Sequence, residues 1–410
     1  HSITKAHTMF FSKQSITYLL TCFFIGLSTA FIYPLLSLYL IEEVHATPIS
    51  MGILITCMVL SGVLVSQYIA KKSDQGLSRK SIILTGQVGF IITTIFLAMS
   101  QHYYTLLFAV VFFMPFSAAC LPQIFSMGRH FADKQLADKA TVFMTMMRAT
   151  MSMSWVIGPP AAFLINDAFG FEQTFLLAGF FAVVVFIIVC VGISNVQIEK
   201  VQSAPKNVNW SKISGVLFFL ICIFFVFTAN NMYITSISLY ITQAADFDSK
   251  WVGYLMGTAA FVEIPIMLGA GYLAPRFGAM RLINIAIISG LLFFAGLLVA
   301  EQLWQFILLQ LFNGIFIGIN ASLGMLVVQD MMKKQIGLAS TLFNNSLLLS
   351  VLLSSLLVGG IAQYFSYYTV FIASALFCLI ALFFMWLAER QCLLLKPEHL
   401  KALKPERLKA

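Results

Sequence analysis

The sequence predicts an all-α membrane protein of twelve transmembrane helices in two six-helix halves. Three observations carry that prediction. The 410 residues are 60% hydrophobic and only 10% charged, with a mean hydropathy of +0.93. Soluble domains carry about 25% charged residues, so a string of soluble domains is excluded. The apolar runs are long and continuous rather than alternating, which fits helices and not a barrel. The basic residues fall in every second loop, as the positive-inside rule requires of a multi-pass chain.

A bilayer core takes about 20 apolar residues of helix. No cleavable signal peptide is expected in the polar lead HSITKAHTMFFSKQS, which feeds span one, 15–41. Span two (49–70) and span three (81–100) flank the basic loop YIAKKSDQGLSRK, Tyr68–Lys80. Span four (103–127) contains Pro115 and Pro122. Span five (140–165) includes MRATMSMSWVIGPPAAFLI, Met147–Ile165, which puts a permanent charge and two prolines into an apolar run. Span six (172–194) precedes SNVQIEKVQSAPKNVNWSK, Ser194–Lys212, the longest internal polar stretch. Residues 195–212 therefore read as a cytoplasmic linker between a half at 1–194 and a half at 213–390. Spans seven to twelve follow at 212–241, 251–274, 281–300, 303–330, 337–363 and 367–388, and a basic tail occupies 391–410. Twelve spans put both ends on one side. Assigning that side to the cytoplasm places 22 of the 24 Lys and Arg there, leaving Lys250 outside and Arg148 within span five.

The halves repeat. Tyr68–Lys80 and YLAPRFGAMR (Tyr272–Arg281) share a tyrosine, an aliphatic residue, an alanine, then basic residues and a glycine, at an offset of 204. Thr141–Phe143 and Thr341–Phe343 repeat at an offset of 200. Six of the seven cysteines sit inside apolar runs and no CxxC occurs, so they read as small buried hydrophobes, with no metal site and no cofactor.

An ionisable group at membrane depth costs several kcal/mol and survives when paired, wetted or used. Arg148 in span five and Glu263 in span eight are the two clear cases, of opposite sign and in different halves. They are expected to face one central cavity, pairing in one state or touching substrate; a static buried ion pair that only orders the bundle is the alternative. Desolvation favours the protonated form of a carboxylate, so Glu263 is the candidate proton carrier. Asp330 lies at the inner end of span ten.

Uncharged donors and acceptors also cluster within the spans: Gln123, Asn230, Asn231, Tyr233, Gln310, Asn313, Asn320, Asn344 and Asn345. Amides and phenols both donate and accept, which suits hydroxyl-rich neutral ligands. The competing reading is interhelical hydrogen bonding, worth about 0.6 kcal/mol each. Trp155 either stacks on a sugar face or packs on a neighbouring helix. Gly158, Pro159, Pro160 and Pro265 are expected to bend their helices around a cavity. Gly253, Gly257, Gly314 and Gly318 permit close helix approach. No His/Asp/Ser cluster or phosphate loop appears, so the chain is not read as an enzyme.

Two six-helix halves, the loops after spans two and eight and the Gly-Pro-Pro of span five resemble the major facilitator superfamily. GYLAPRFGAMR fits that superfamily's inner-loop signature at Gly271, Arg276, Gly278 and Arg281, with Pro275 replacing the acidic residue. The first-half version is stretched, with Asp74 displaced and Arg79 and Lys80 closing it. MRATMSMSWVIGPPAAF, LMGTAAFVEIPIML, LQLFNGIFIGI with GMLVVQD, and TLFNNS are similar to the bacterial sugar efflux transporters of the superfamily. The likeness runs from Pro34 to about Gln363. It implies the major facilitator fold and an inner-membrane monomer with both termini cytoplasmic. It further implies export of small sugars, glycosides or sugar analogues by alternating access, in exchange for protons. The partners are substrate, protons and lipids, not nucleic acid. Spans one, four, seven and ten would line the cavity, with Thr21, Ser28, Tyr33 and Ser37 from span one. A proton-coupled multidrug or other small-solute exporter of the same fold is the alternative.

Overall fold

The computed structural model describes residues 12–74, 76–136, 140–194, 213, 215–333 and 336–402, without the side chains of 70, 71, 74, 141, 336, 337 and 393–402. The expected linker 195–212, the Asp74 carboxylate and the end of the tail lie outside the described residues.

Every described element is helical. The helices are Lys13–Glu42, Pro48–Asp74, Arg79–Met99, Tyr103–Phe112 with Cys120–Gln135, Ala140–Phe169 and Phe171–Gly192, then Val216–Leu239, Lys250–Phe277, Ala279–Leu297, Leu303–Met331, Ile336–Tyr364 and Tyr367–Ala402. They are spans one to twelve in order. Eleven are long and apolar enough to cross a membrane. Span five is as long, at 30 residues, but less apolar, because Arg148, several hydroxyls, two prolines and Asn166–Asp167 interrupt it.

Helix starts follow from capping. The Ser12 hydroxyl accepts from Ser15 N–H at 3.2 Å, Thr47 from Ser50 N–H at 3.2 Å and Ser366 from Thr369 N–H at 3.3 Å, each satisfying an N–H that no helical carbonyl reaches. Gly278 precedes span nine at φ +87, a conformation that glycine adopts without a Cβ penalty.

Span four departs from the single helix expected. Between its two α-segments lies a 3₁₀ turn, Met114–Ala119, with Pro115 in its first positions. Proline has no N–H to give the preceding turn, and span three fits against the break. A Cβ at Gly86 would meet the Phe116 carbonyl at 2.7 Å.

The chain divides into two compact units. One comprises spans one to six with Thr235–Gly257 and Val358–Tyr364; the other comprises the start of span seven to Ile234, Thr258–Leu357 and the chain from Phe365. The first unit is thus larger than the half at 1–194, because three pieces of the later spans pack onto spans one, two and five. The Ser37 and Ser238 hydroxyls lie 3.4 Å apart. A Cβ at Gly253 would meet the Pro160 carbonyl at 3.0 Å, and one at Gly359 would meet the Pro48 carbonyl at 2.8 Å and Gly52 Cα at 3.1 Å. Gly253 is Gly52 shifted by 201 residues, and Gly359 is Gly158 shifted by 201. The two backbone-close seams are therefore copies of one contact. Within the first unit, span one also lies tight on span five: a Cβ at Gly26 would clash with Ser154, and Gly158 faces Ala30.

The ends of spans one and seven repeat in finer detail. Val44 N–H donates to Tyr39 O at 3.2 Å and Ala46 N–H to Leu40 O at 2.8 Å. Ala245 N–H donates to Tyr240 O and Phe247 N–H to Ile241 O, both at 2.9 Å. At the centre of each turn sits a non-glycine residue with positive φ, His45 at 53° and Asp246 at 57°.

Candidate functional site

In the second unit, polar side chains converge from spans seven and ten. Gln310, Asn313 and Asn320 fall on one face of span ten, since spacings of three and seven return to the same side of a helix. Tyr233 Oη donates to Gln310 Oε1 at 3.2 Å, and Asn313 Nδ2 donates to the same oxygen at 3.0 Å. Gln310 Nε2 donates back to the Phe306 carbonyl at 3.1 Å, and Asn320 Nδ2 to the Phe316 carbonyl at 2.6 Å. Phe293 braces the Tyr233 ring edge-on at 5.0 Å between centroids. Gln310, Asn313 and Tyr233 are all buried. The amide oxygens of Asn313 and Asn320 are also buried, and neither has a hydrogen-bond partner among the described residues. A buried acceptor without a donor costs about 1–3 kcal/mol, so these two oxygens are the unmet demand of the cluster. Asn231 Nδ2 reaches Ser350 Oγ of span eleven at 3.1 Å. Asn230 is half-buried, and Asn344 and Asn345 are exposed.

Glu263 lies on span eight, half-buried, where span eight meets span ten. A Cβ at Gly318 would come within 3.1 Å of the Glu263 carbonyl, and one at Gly314 within 3.2 Å of the Ala259 carbonyl. The two glycines thus let the carboxylate-bearing helix approach the amide-bearing one closely. Pro265 stands two residues beyond Glu263 inside the helix, removing one backbone donor beside the acid.

In the first unit, Arg148, Ser152 and Trp155 share the exposed face of span five, three and four residues apart. The Tyr33 ring of span one stands 6.4 Å from that of Trp155, and both rings are more than a third exposed. Arg148 lies seven residues before Trp155, about 10 Å along the axis. No ion-pair partner is described for Arg148 or for Glu263. The opposite face of span five is core: Phe143, Met147 and Phe163 are fully buried, and Gly158 and Pro159 are buried beside them. The hydroxyls of Thr21 and Ser28 donate to their own helix, to Thr17 O at 2.7 Å and Phe24 O at 2.6 Å.

The loop residues separate from both clusters. Gln123 is buried, and its Oε1 accepts from Ser73 Oγ at 3.1 Å and from Arg79 at 3.2 Å. Arg79 also donates to Ser126 at 2.5 Å. Gln123 is therefore bound up with the loop after span two. Lys72 stacks over Tyr68 at 5.8 Å and Arg276 over Tyr272 at 4.8 Å, so the repeated tyrosine of the two loops is a cation–π platform one turn before its base. Arg281 is exposed and Gly271 has open space around it. Two contacts here had no signal in the sequence. Lys80 donates to the Cys190 and Ile193 carbonyls at 2.9 and 2.8 Å, capping the end of span six. Asn284 donates to Glu389 at 2.8 Å, tying span nine to span twelve. Among the described residues no group of His, Cys, Asp or Glu is arranged to hold a metal.

This architecture is that of known transporters. The Major Facilitator Superfamily model matches residues 18–303 and 285–408. The chain is 35% identical to sugar efflux transporter A of Escherichia coli over 89% of its own length and 94% of that protein. It is 34% identical to sugar efflux transporter B of Salmonella typhimurium over 90% and 95%. The crystal structure of the nucleoside transporter NupG superposes with a TM-score of 0.71 at 15% identity, covering 92% of this chain and 99% of that one. The protein is a membrane transporter and not an enzyme: it belongs to the sugar efflux transporter family of the Major Facilitator Superfamily.

Proposed function

We propose that the chain exports small sugars, glycosides or sugar analogues across the bacterial cytoplasmic membrane by alternating access, in exchange for protons. The buried, donorless Asn313 oxygen carries the substrate reading. Set among the Tyr233 and Gln310 dipoles, it asks for a hydroxyl and not for a charge. The names of the relatives point the same way. Tyr233, Gln310 and Asn313 then bind sugar hydroxyls, Trp155 and Tyr33 offer an aromatic face for the ring, and Asn230, Asn344 and Asn345 supply further amides. Glu263 carries the proton. Arg148 acts in the same cycle, as counter-charge or as a sugar ligand. Both termini face the cytoplasm, and the loops holding Arg79, Arg276, Gly278 and Arg281 gate that side.

Inverted membrane vesicles energised by respiration test the reading, because their acid lumen drives substrate inward through a proton-exchanging exporter. Labelled lactose or a glucoside should accumulate, and a protonophore should abolish the accumulation. Uptake indifferent to the protonophore removes proton coupling; no uptake of any saccharide removes the sugar. The exposed Tyr33–Trp155 pair favours the second reading, a multidrug or other small-solute exporter. In that case lipophilic cations would accumulate where sugars do not.

A further inference from the structure

We propose that a cavity between the start of span one and the end of span four binds a phosphate-bearing anion. The cavity holds about 90 Å³ and is lined by Gln14, Tyr18, Met127, His130, Phe131, Lys134 and Gln135. The space is large enough to hold a small oxyanion. Its floor is aromatic, with Tyr18 and Phe131 5.2 Å apart and Phe143 edge-on to Tyr18. Its wall is polar. His130 and Lys134 stand one turn apart on the same face of span four, and Gln14 and Gln135 approach from the two helix ends.

Two features point to an anion, beside the His130 ring that lines the space. Lys134 has no described ion-pair partner, and the neighbouring acid Asp133 is already taken by Arg129 at 2.9 Å. Gln135 reaches Gln14 at only 3.5 Å, a length at which a hydrogen bond contributes little, so both amides are available to a better partner. Span one also begins here, and the first turn of a 30-residue helix presents its positive end. A lysine, an imidazole and two amides around one small space match an oxyanion with several acceptor oxygens. Because the cavity sits at the ends of two spans, the phosphate belongs either to a lipid headgroup or to a soluble phosphate.

Native mass spectrometry of the full chain, delipidated in detergent, distinguishes these. The probes are phosphatidylglycerol, diacylglycerol (which lacks the phosphate) and inorganic phosphate. The wild type should retain phosphatidylglycerol at least tenfold more tightly than diacylglycerol. Lys134→Gln, an exposed position expected to fold, and His130→Leu should each lose most of that preference, and Lys134→Arg should recover it. Arg129→Gln, outside the cavity, should bind as wild type. Competition by inorganic phosphate assigns the site to soluble phosphate, and its absence assigns the site to lipid. Equal binding by wild type and Lys134→Gln, or no preference for the phosphate-bearing probe, overturns the proposal.

Discussion

Asn313 and Glu263 do different work in the proposed cycle, and single substitutions separate them. Asn313→Leu removes the donorless oxygen and one donor to Gln310. Losing a buried hydrogen bond to a ligand costs about 1–3 kcal/mol, so the KM for sugar in vesicles should rise about 5- to 150-fold, while proton-gradient dependence remains. Glu263→Gln keeps shape and removes charge. Gradient-driven accumulation should fall at least about tenfold, the pH dependence should flatten, and exchange of labelled for unlabelled sugar should persist. A variant that accumulates sugar with wild-type pH dependence would remove the acid from the mechanism. Both residues were legible in the sequence because a polar group in an apolar run is costly and therefore conspicuous. Their partners were not. That Gln310 Oε1 accepts from Tyr233 and Asn313, and that Gln123 Oε1 is occupied by Ser73 and Arg79, depends on which helices become neighbours. Spacing along one helix carries no such information.

At the scale of the element, length and hydropathy located all twelve spans, most of them within a few residues, although span four runs on to Gln135 and the last helix to Ala402. They could not see the 3₁₀ turn in span four, because Pro115 and Pro122 read equally well as gentle kinks. Nor do they say which glycine is needed. Gly253 lies against the Pro160 carbonyl and Phe163 Cβ, whereas Gly271 has nothing within 4 Å. Gly253→Leu forces atoms into a filled space at about 1–3 kcal/mol, and a thermal scan in detergent should show a Tm lower by several degrees. Gly271→Ala, in a helix and unobstructed, should leave Tm unchanged or raise it slightly. The reverse order of effects would mean that the seam between spans five and eight is not packed as described.

For the whole molecule, the even number of spans and the placement of 22 of 24 basic residues make orientation a sharp prediction. A fluorescent protein fused after Ala410 should fluoresce, and alkaline phosphatase fused there should be inactive. Phosphatase fused in the loop at Lys250 should be active. The opposite pattern would invert the direction of every flux proposed above. The polar stretch 195–212 and the repeated loops predict two halves. The extension of the first compact unit to Thr235–Gly257 and Val358–Tyr364 was not legible, because it arises from backbone seams between spans remote in sequence. The turns at His45 and Asp246 close the ends of spans one and seven with matching hydrogen bonds, yet their residues differ. A left-handed backbone conformation costs an ordinary residue about 1–2 kcal/mol, and glycine would avoid it. His45→Gly and Asp246→Gly should therefore each raise Tm. If one ancestral turn gave rise to both, descent has kept its geometry and let its chemistry drift.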